Sequence, residues 1–441
     1  MVLRSMLLVR TVCLIAVLWI GGAESYAAEP IEQNQDPAGR IQEAVRGAWQ
    51  YGANLAETAA NIEAERNAAK VEARAGPPYV EYQQEGIDSS FGNAPNATKY
   101  VRLGKPFNVP WQWHAGKSLI SATEAYAATA RQAAAMNIAL QVGLAWIRLA
   151  VLEDQVALQE IQLDRRRQAL MLHRKRLEMG EVSGSEVTQV ELEYARQYSD
   201  LATLRAGREK ALVELERLAG EGDFKPAQGD LGRLSEGLEP LPSSEAGHTE
   251  DLEQSLFVKL AHQQAAQGRR SVELEQKLAW GRPEIEVEWE HVPSVEGLEA
   301  FDAFGWRIQV PLPVDRSGWE RRKESRANLA AVEARERLVK RDLVAQVRIA
   351  SVAATAAEER IEGMGGLLAG LRDTERSLTE QFRLGTISYL VYFDALSRLD
   401  DVVLQNIDAR RALLEARLEL AVVLYDLSLF PLPEPSLEDV R

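Results

Sequence analysis

Residues Glu380–Asp400 read EQFRLGTISYLVYFDALSRLD. A helical pattern rich in Ala, Arg, Glu and Leu runs into this stretch, breaks at Leu384-Gly385-Thr386 and resumes at once. Glycine takes the left-handed conformation of a tight helix ending without steric cost. The stretch is therefore a fold-back between two antiparallel helices. A second stretch, RKRLEMGEVSGSEVTQVELEY (Arg174–Tyr194), has the same form, with Met179-Gly180-Glu181 at its break.

The two glycines lie 205 residues apart (385 − 180), and the same shift works far upstream. Gly76-Pro77-Pro78 falls on Gly281-Arg282-Pro283, and Val80, Tyr82 and Gln84 fall on Ile285, Val287 and Trp289. Arg102-Leu103 falls on Arg307-Ile308, Pro106 on Pro311, and Val182-Ser183 on Ile387-Ser388. One ungapped register over about 110 residues marks an internal duplication. The spacing predicts the same parts in each unit. A medium helix (41–74; 251–280) is followed by two short period-2 segments around a polar loop. Then come a very long helix (116–178; 317–383) and a returning helix (185–219; 388–429). Residues 1–27 form a predicted signal peptide, 28–219 and 249–430 the two repeats, 220–248 a Gly-, Pro- and Ser-rich linker, and 431–441 a tail. At 1.5 Å per residue the long helices reach roughly 90 Å. Val332, Val339, Leu343 and Val347 recur at sevens and fours, the narrow seam of a coiled coil.

The period-2 segments are amphipathic. In RPEIEVEWEHV (Arg282–Val292), Ile285, Val287 and Trp289 point one way, and Glu284, Glu286, Glu288 and Glu290 the other. FGWRIQVPL (Phe304–Leu312) sets Phe304, Trp306, Ile308, Val310 and Leu312 against Arg307 and Gln309. The first repeat sets Val80 and Tyr82 against Glu81 and Gln83, and Val101, Leu103 and Phe107 against Arg102. An apolar, aromatic-flanked face opposite a polar one is the pattern of an outer-membrane barrel strand. Four strands cannot close such a barrel, since the smallest use eight, so several chains must contribute. Open edges are not tolerated in lipid, which makes oligomerisation compulsory on this reading. The predicted fold is mainly α with a small β part.

Composition narrows the function. The net charge is −15 with no long basic run, which argues against nucleic acid as a partner. The opening MVLRSMLLVRTVCLIAVLWIGGAESYAAEP has Arg4 and Arg10 as its basic region, an apolar run from Thr11 to Ile20, and Ser25-Tyr26-Ala27 as a cleavage site. The single cysteine, Cys13, lies inside this segment in a poor lipidation context. The mature chain then has no disulfide, thiolate metal site or cysteine nucleophile. No P-loop, GxSxG or HExxH signature occurs, and the five histidines (His114, His173, His248, His262, His291) are nowhere spaced as a ligand pair. No enzyme activity, cofactor or metal site is expected. His173 with Met171 and Met179 is read as helix surface rather than as a soft-metal site.

Together, the repeat, the step GWRIQVPLPVDRSGWERR (Gly305–Arg322) from strand into long helix, and the fold-backs RLEMGEVSGSEV and FRLGTISYLVYFDAL resemble the TolC-type outer-membrane efflux proteins. The likeness spans nearly the whole chain after residue 27. The second fold-back and the VVLQNIDARRALLEARLELAVVLYDL that follows it resemble most the heavy-metal (CzcC- and CusC-like) branch. The resemblance implies a homotrimer with a twelve-stranded barrel in the outer membrane and an α-helical tunnel across the periplasm. It also implies a periplasmic adaptor docked at the tips and an inner-membrane pump of the resistance-nodulation-division type. On this likeness Met179, Gly180, Glu181, Leu384, Gly385 and Thr386 are the docking tips. Glu186 and Asp394 line the aperture, and Glu284, Glu286, Glu288, Glu290, Arg102 and Arg307 face the pore. Glu181 and Thr386 depart from the family's hydrophobic third position, and Val391 stands where drug-exporting members carry a second aspartate. The alternative reading is a periplasmic coiled-coil adaptor or scaffold without a membrane barrel.

Overall fold

The computed structural model describes residues 36–85, 97–220, 222, 224–239, 252–294, 299–311 and 316–435. The proposed signal peptide and most of the tail lie outside them. In chain order the elements are α1 (Pro37–Tyr51), α2 (Ala53–Ala73), β1 (Tyr79–Glu85), β2 (Thr98–Pro106), α3 (Pro110–Glu178), α4 (Gly184–Ala219) and α5 (Asp230–Glu236). A 3-10 turn (Leu252–Gln254) precedes α6 (Leu256–Leu278), β3 (Glu284–Val292), β4 (Phe301–Gln309), α7 (Arg316–Arg383) and α8 (Tyr389–Leu424).

The 205-residue shift carries Glu178 onto Arg383, and it carries both ends of α4 onto both ends of α8. The local signals match as well. Ser183 and Ser388 cap the returning helices by accepting from the backbone N–H of Glu186 and of Val391. Both returning helices stop at a residue of positive φ, Gly220 (φ 85°, ψ −170°) and Tyr425 (φ 57°, ψ 40°), and the left-handed Tyr425 is why α8 ends at Leu424 rather than at Leu429. Two expected boundaries move. Gly52 takes an extended conformation (φ −71°, ψ 115°) and divides the first medium helix into α1 and α2. The long helix of the first repeat begins at Pro110, where proline's missing N–H costs nothing, rather than at Gly116.

The helices α3 and α7 contain 69 and 68 residues, about 100 Å each. Nearer the sheet, α3 packs between α2 and α6, and α7 packs on α6. Towards the fold-backs, α3 packs on α4 and α8, and α7 on α8. One window of α3 is apolar enough to cross a membrane (mean hydropathy 1.6), but 67% of it is buried against other helices.

The main core lies at mid-height, where Ile41, Val45 and Trp49 of α1 meet Trp146 and Ile147 of α3, Leu215 of α4, and Leu414 and Leu418 of α8. Indole N–H groups tie it together, Trp49 donating to the Ala135 carbonyl and Trp146 to the Phe224 carbonyl, each at 2.9 Å. The segment read as a plain linker is folded from Phe224 to Glu239. Phe224, Leu231 and Leu234 are buried in this core, and buried Asp230 pairs with Arg40 at 2.5 Å. Glycine and proline set the ends of that segment, while three apolar side chains and one paired carboxylate fasten its middle.

Candidate functional site

The four strands form one antiparallel sheet in the order β1-β2-β3-β4, so β1 and β4 are open edges. Register places Arg102 opposite Glu288, Glu286 opposite Arg307, and Val287 opposite Trp306. All the predicted pore-facing residues therefore share one face. Across it, the Arg102 guanidinium donates to Glu288 at 2.6 Å and to Gln83 at 3.0 Å. Arg307 lies 3.4 Å from Glu286 and 3.7 Å from Glu288. The Tyr79 ring crosses over Gly104, where any Cβ would collide with it, and its hydroxyl donates to Glu286 at 2.9 Å. Glu286 is thereby left only 7% exposed, whereas Glu284 and Glu290 carry no ion pair among the described residues. Two arginines thus fasten part of the acidic face, and the other two carboxylates keep it negative.

The opposite face is apolar and has no partner among the described residues. Val80, Tyr82, Leu103, Ile285, Val287 and Ile308 are all exposed, and Phe304 and Trp306 are 80% and 76% exposed. This is an apolar surface on an open-edged sheet, which a soluble monomer would not leave bare.

At the far end of the rods the two fold-backs lie side by side. Each is a Schellman ending. Gly180 (φ 74°) donates to the Leu177 carbonyl at 3.0 Å and Glu181 to the Arg176 carbonyl at 2.9 Å. Gly385 (φ 76°) donates to Phe382 at 3.1 Å and Thr386 to Gln381 at 3.0 Å. Met179 and Leu384 are exposed at the two tips. Arg176 of the first tip donates to the Phe382 and Arg383 carbonyls of the second at 3.1 and 3.4 Å, satisfying acceptors that the end of α7 leaves open. Behind it, Arg165 bridges Glu375 of α7 (2.7 Å) and Asp400 of α8 (3.0 Å). Burial raises the Asp400 carboxyl above its usual range, and Arg165 opposes that shift.

His173 is not a surface residue. It is 3% exposed, stacks on Phe382 (5.7 Å) and meets Tyr389 edge-on (5.0 Å), while Phe382 stacks on Tyr392 (4.5 Å). Burial lowers its pKa, as does the charge of Arg176, against the Ala169 carbonyl and Glu186, which raise it. Met171 and Met179 are exposed and do not share its surroundings, and no metal-holding group of His, Cys, Asp or Glu occurs among the described residues. Glu186 and Asp394 are both exposed, and Asp394 pairs with Arg398 one turn on at 2.8 Å. No pattern within either repeat could have revealed Arg176, Arg165 or the His173 cluster, because each joins side chains of the two repeats.

In the fold-back half, α4 and α7 are the edges of the helical layer, and among the described residues each has a flank without a neighbour. On α4, Thr188, Leu192, Ala195, Ser199, Ala202 and Ala206 recur at fours and threes, all exposed. On α7, Ala345, Ile349, Val352 and Ala356 do the same, and Gly363 and Gly370 follow at sevens, all exposed, with Glu359 interrupting. With Val213 continuing the first, the α4 seam runs about 12–50 Å from the tips and the α7 seam about 22–60 Å, so the two overlap over about 20–50 Å.

No family model matches this sequence, and no curated protein matches it. Solved structures do match. CusC, described as undergoing conformational changes on transmembrane channel formation, shares 15% identity at a TM-score of 0.68, covering 87% of this chain and 92% of its own. The CmeC outer-membrane channel of Campylobacter jejuni shares 10% identity at 0.68, covering 87% and 85%. The outer-membrane protein VceC of Vibrio cholerae shares 15% identity at 0.64, covering 87% and 96%. At these identities the likeness establishes the fold.

Proposed function

We propose that this chain, which has the fold of the TolC-type outer-membrane channels, is the outer-membrane exit duct of a tripartite efflux system. The observation that carries the reading is the sheet, apolar and bare on one face, charged on the other, and open at both edges. Lipid covers the apolar face. Other copies of the chain pair the edges, and three chains supply twelve strands around the acidic face, giving a water-filled passage. The free flanks of α4 and α7 fit the same assembly, because the α7 seam of one copy lies level with the α4 seam of the next. A head-to-tail contact of this kind closes into a ring. The helices then continue the passage through the periplasm to the tips. There the exposed Met179 and Leu384 offer a docking surface to an adaptor linked to an inner-membrane pump.

The protein performs no reaction in this reading. Substrate passes down its gradient, and energy enters at the pump. Heavy-metal cations are the proposed cargo, on the likeness of the second fold-back to the metal branch and the uncompensated Glu284 and Glu290. An adaptor or scaffold without a barrel leaves the apolar face without an occupant. Fractionation, mass measurement in detergent and planar-bilayer recording test the proposal together. The expected result is an outer-membrane trimer that conducts ions. A monodisperse monomer, or a trimer confined to the soluble periplasm, would overturn it.

A further inference from the structure

At the end where the strands meet the helices, the chain reverses its electrostatic character. The protein as a whole carries −15. Yet residues 105–123, from the end of β2 into α3, and 319–326, in the first turns of α7, hold six cations (Lys105, Lys117, Arg321, Arg322, Lys323, Arg326) against two carboxylates (Glu320, Glu324). Tryptophan collects at the same level. Trp111, Trp113, Trp280 and Trp319 are four of the chain's nine, and all four are exposed.

Two of these tryptophans carry a lysine one turn on. The Lys117 ammonium lies 5.3 Å from the Trp113 ring and the Lys323 ammonium 3.6 Å from the Trp319 ring. Trp113 is the fourth residue of α3 and Trp319 the fourth of α7, so the device occurs at the same depth in both repeats. Lys117 has no carboxylate within ion-pair distance among the described residues, and Lys323 has only exposed Glu320 at 3.7 Å. A cation stacked on an indole keeps its outer hydrogens free. An indole has an apolar body and one polar N–H, so it settles where hydrocarbon gives way to headgroups.

We propose that Trp113–Lys117 and Trp319–Lys323 bind the phosphate of anionic phospholipid headgroups at the helical side of the sheet. The inference rests on the membrane reading of the sheet, whose apolar face ends at this level. The ring of each pair lies at the acyl boundary and the ammonium reaches the phosphodiester, so the two pairs fix the depth of the barrel and favour anionic over zwitterionic lipid.

The test uses the purified full-length protein in detergent, incubated with phosphatidylglycerol or with phosphatidylcholine of the same chains. Retained lipid is counted by native mass spectrometry. Wild type should retain phosphatidylglycerol preferentially. Lys117→Gln with Lys323→Gln should lower its apparent affinity roughly thirtyfold, and Lys117→Arg with Lys323→Arg should restore it. A control pair of equal charge change at exposed lysines elsewhere, Lys210→Gln with Lys259→Gln, should leave retention unchanged. Equal retention of the two lipids by wild type, equal loss in the control pair, or displacement of the lipid by inorganic phosphate would each overturn the inference. Planar-bilayer conductance separates the two ideas. A variant that still conducts but has lost the preference supports both, whereas a wild type that never inserts removes the channel reading itself.

Discussion

Gly180 and Gly385 hold φ of 74° and 76° in open surroundings, so their requirement is conformational rather than spatial. A β-branched residue there carries strain of about 1–3 kcal/mol. We expect Gly385→Val to abolish efflux, and Gly180→Val to do so less severely, with oligomer mass unchanged in both. Unaltered resistance together with unaltered adaptor pull-down would refute the tip assignment. His173 gives a pH prediction. Its folded pKa lies below the ordinary value of 6.5, so the neutral ring is the form the fold accepts. That contribution is complete above pH 6.5 and is lost as the pH falls through the depressed folded value. Hydrogen-exchange protection factors in residues 378–396, corrected for the intrinsic pH dependence of amide exchange, should therefore fall on acidification from pH 7.5 to pH 5.5. His173→Phe should flatten the response; an equally steep one in that variant would place the titrating group elsewhere.

Among the elements, the two helical hairpins are alike in every local signal but unlike in surroundings. Each has a serine cap, a Schellman glycine and a stop at a residue of positive φ, all displaced by 205 residues. Only the second repeat supplies the aromatic side chains Phe382, Tyr389 and Tyr392 that receive His173 from the first. The free seams on α4 and α7 belong to this scale too. Small residues allow close approach, and a buried carboxylate without a partner costs several kcal/mol. Ala202→Glu or Val352→Glu should dissociate the assembly in detergent while leaving helical circular dichroism unchanged. An intact oligomer in both would move the contact between chains away from these flanks.

For the whole molecule, the proposed trimer would bring three copies of Glu186 and three of Asp394 near the axis if the tips converge. Clustered carboxylates favour cations. Asp394 already has Arg398 at 2.8 Å, which balances part of its charge, so the larger share falls to Glu186. In a planar bilayer Glu186→Ala should lower cation selectivity and weaken divalent block more than Asp394→Ala, and the double variant most. Wild-type values in the double variant would take these two residues off the aperture.

The sequence by itself determined the duplication, the order of parts, the period of each element, and both fold-backs. All of these rest on local chemistry, namely glycine at a left-handed ending, serine at a cap, and alternation on a strand. It also determined that Glu284, Glu286, Glu288 and Glu290 share a face with Arg102 and Arg307, because strand parity and the repeat register together fix the side. Only the tertiary structure decided that Arg102 meets Glu288, that Arg307 lies between Glu286 and Glu288, and that Tyr79 covers Glu286. It alone buried His173 and folded the segment from Phe224 to Glu239 into the core. It alone left one flank of α4 and of α7 bare. The physical reason is common to these cases. Each depends on which helix or strand of the other repeat comes alongside, and that choice is made by long-range packing across about 200 residues of chain, where local periodicity carries no information.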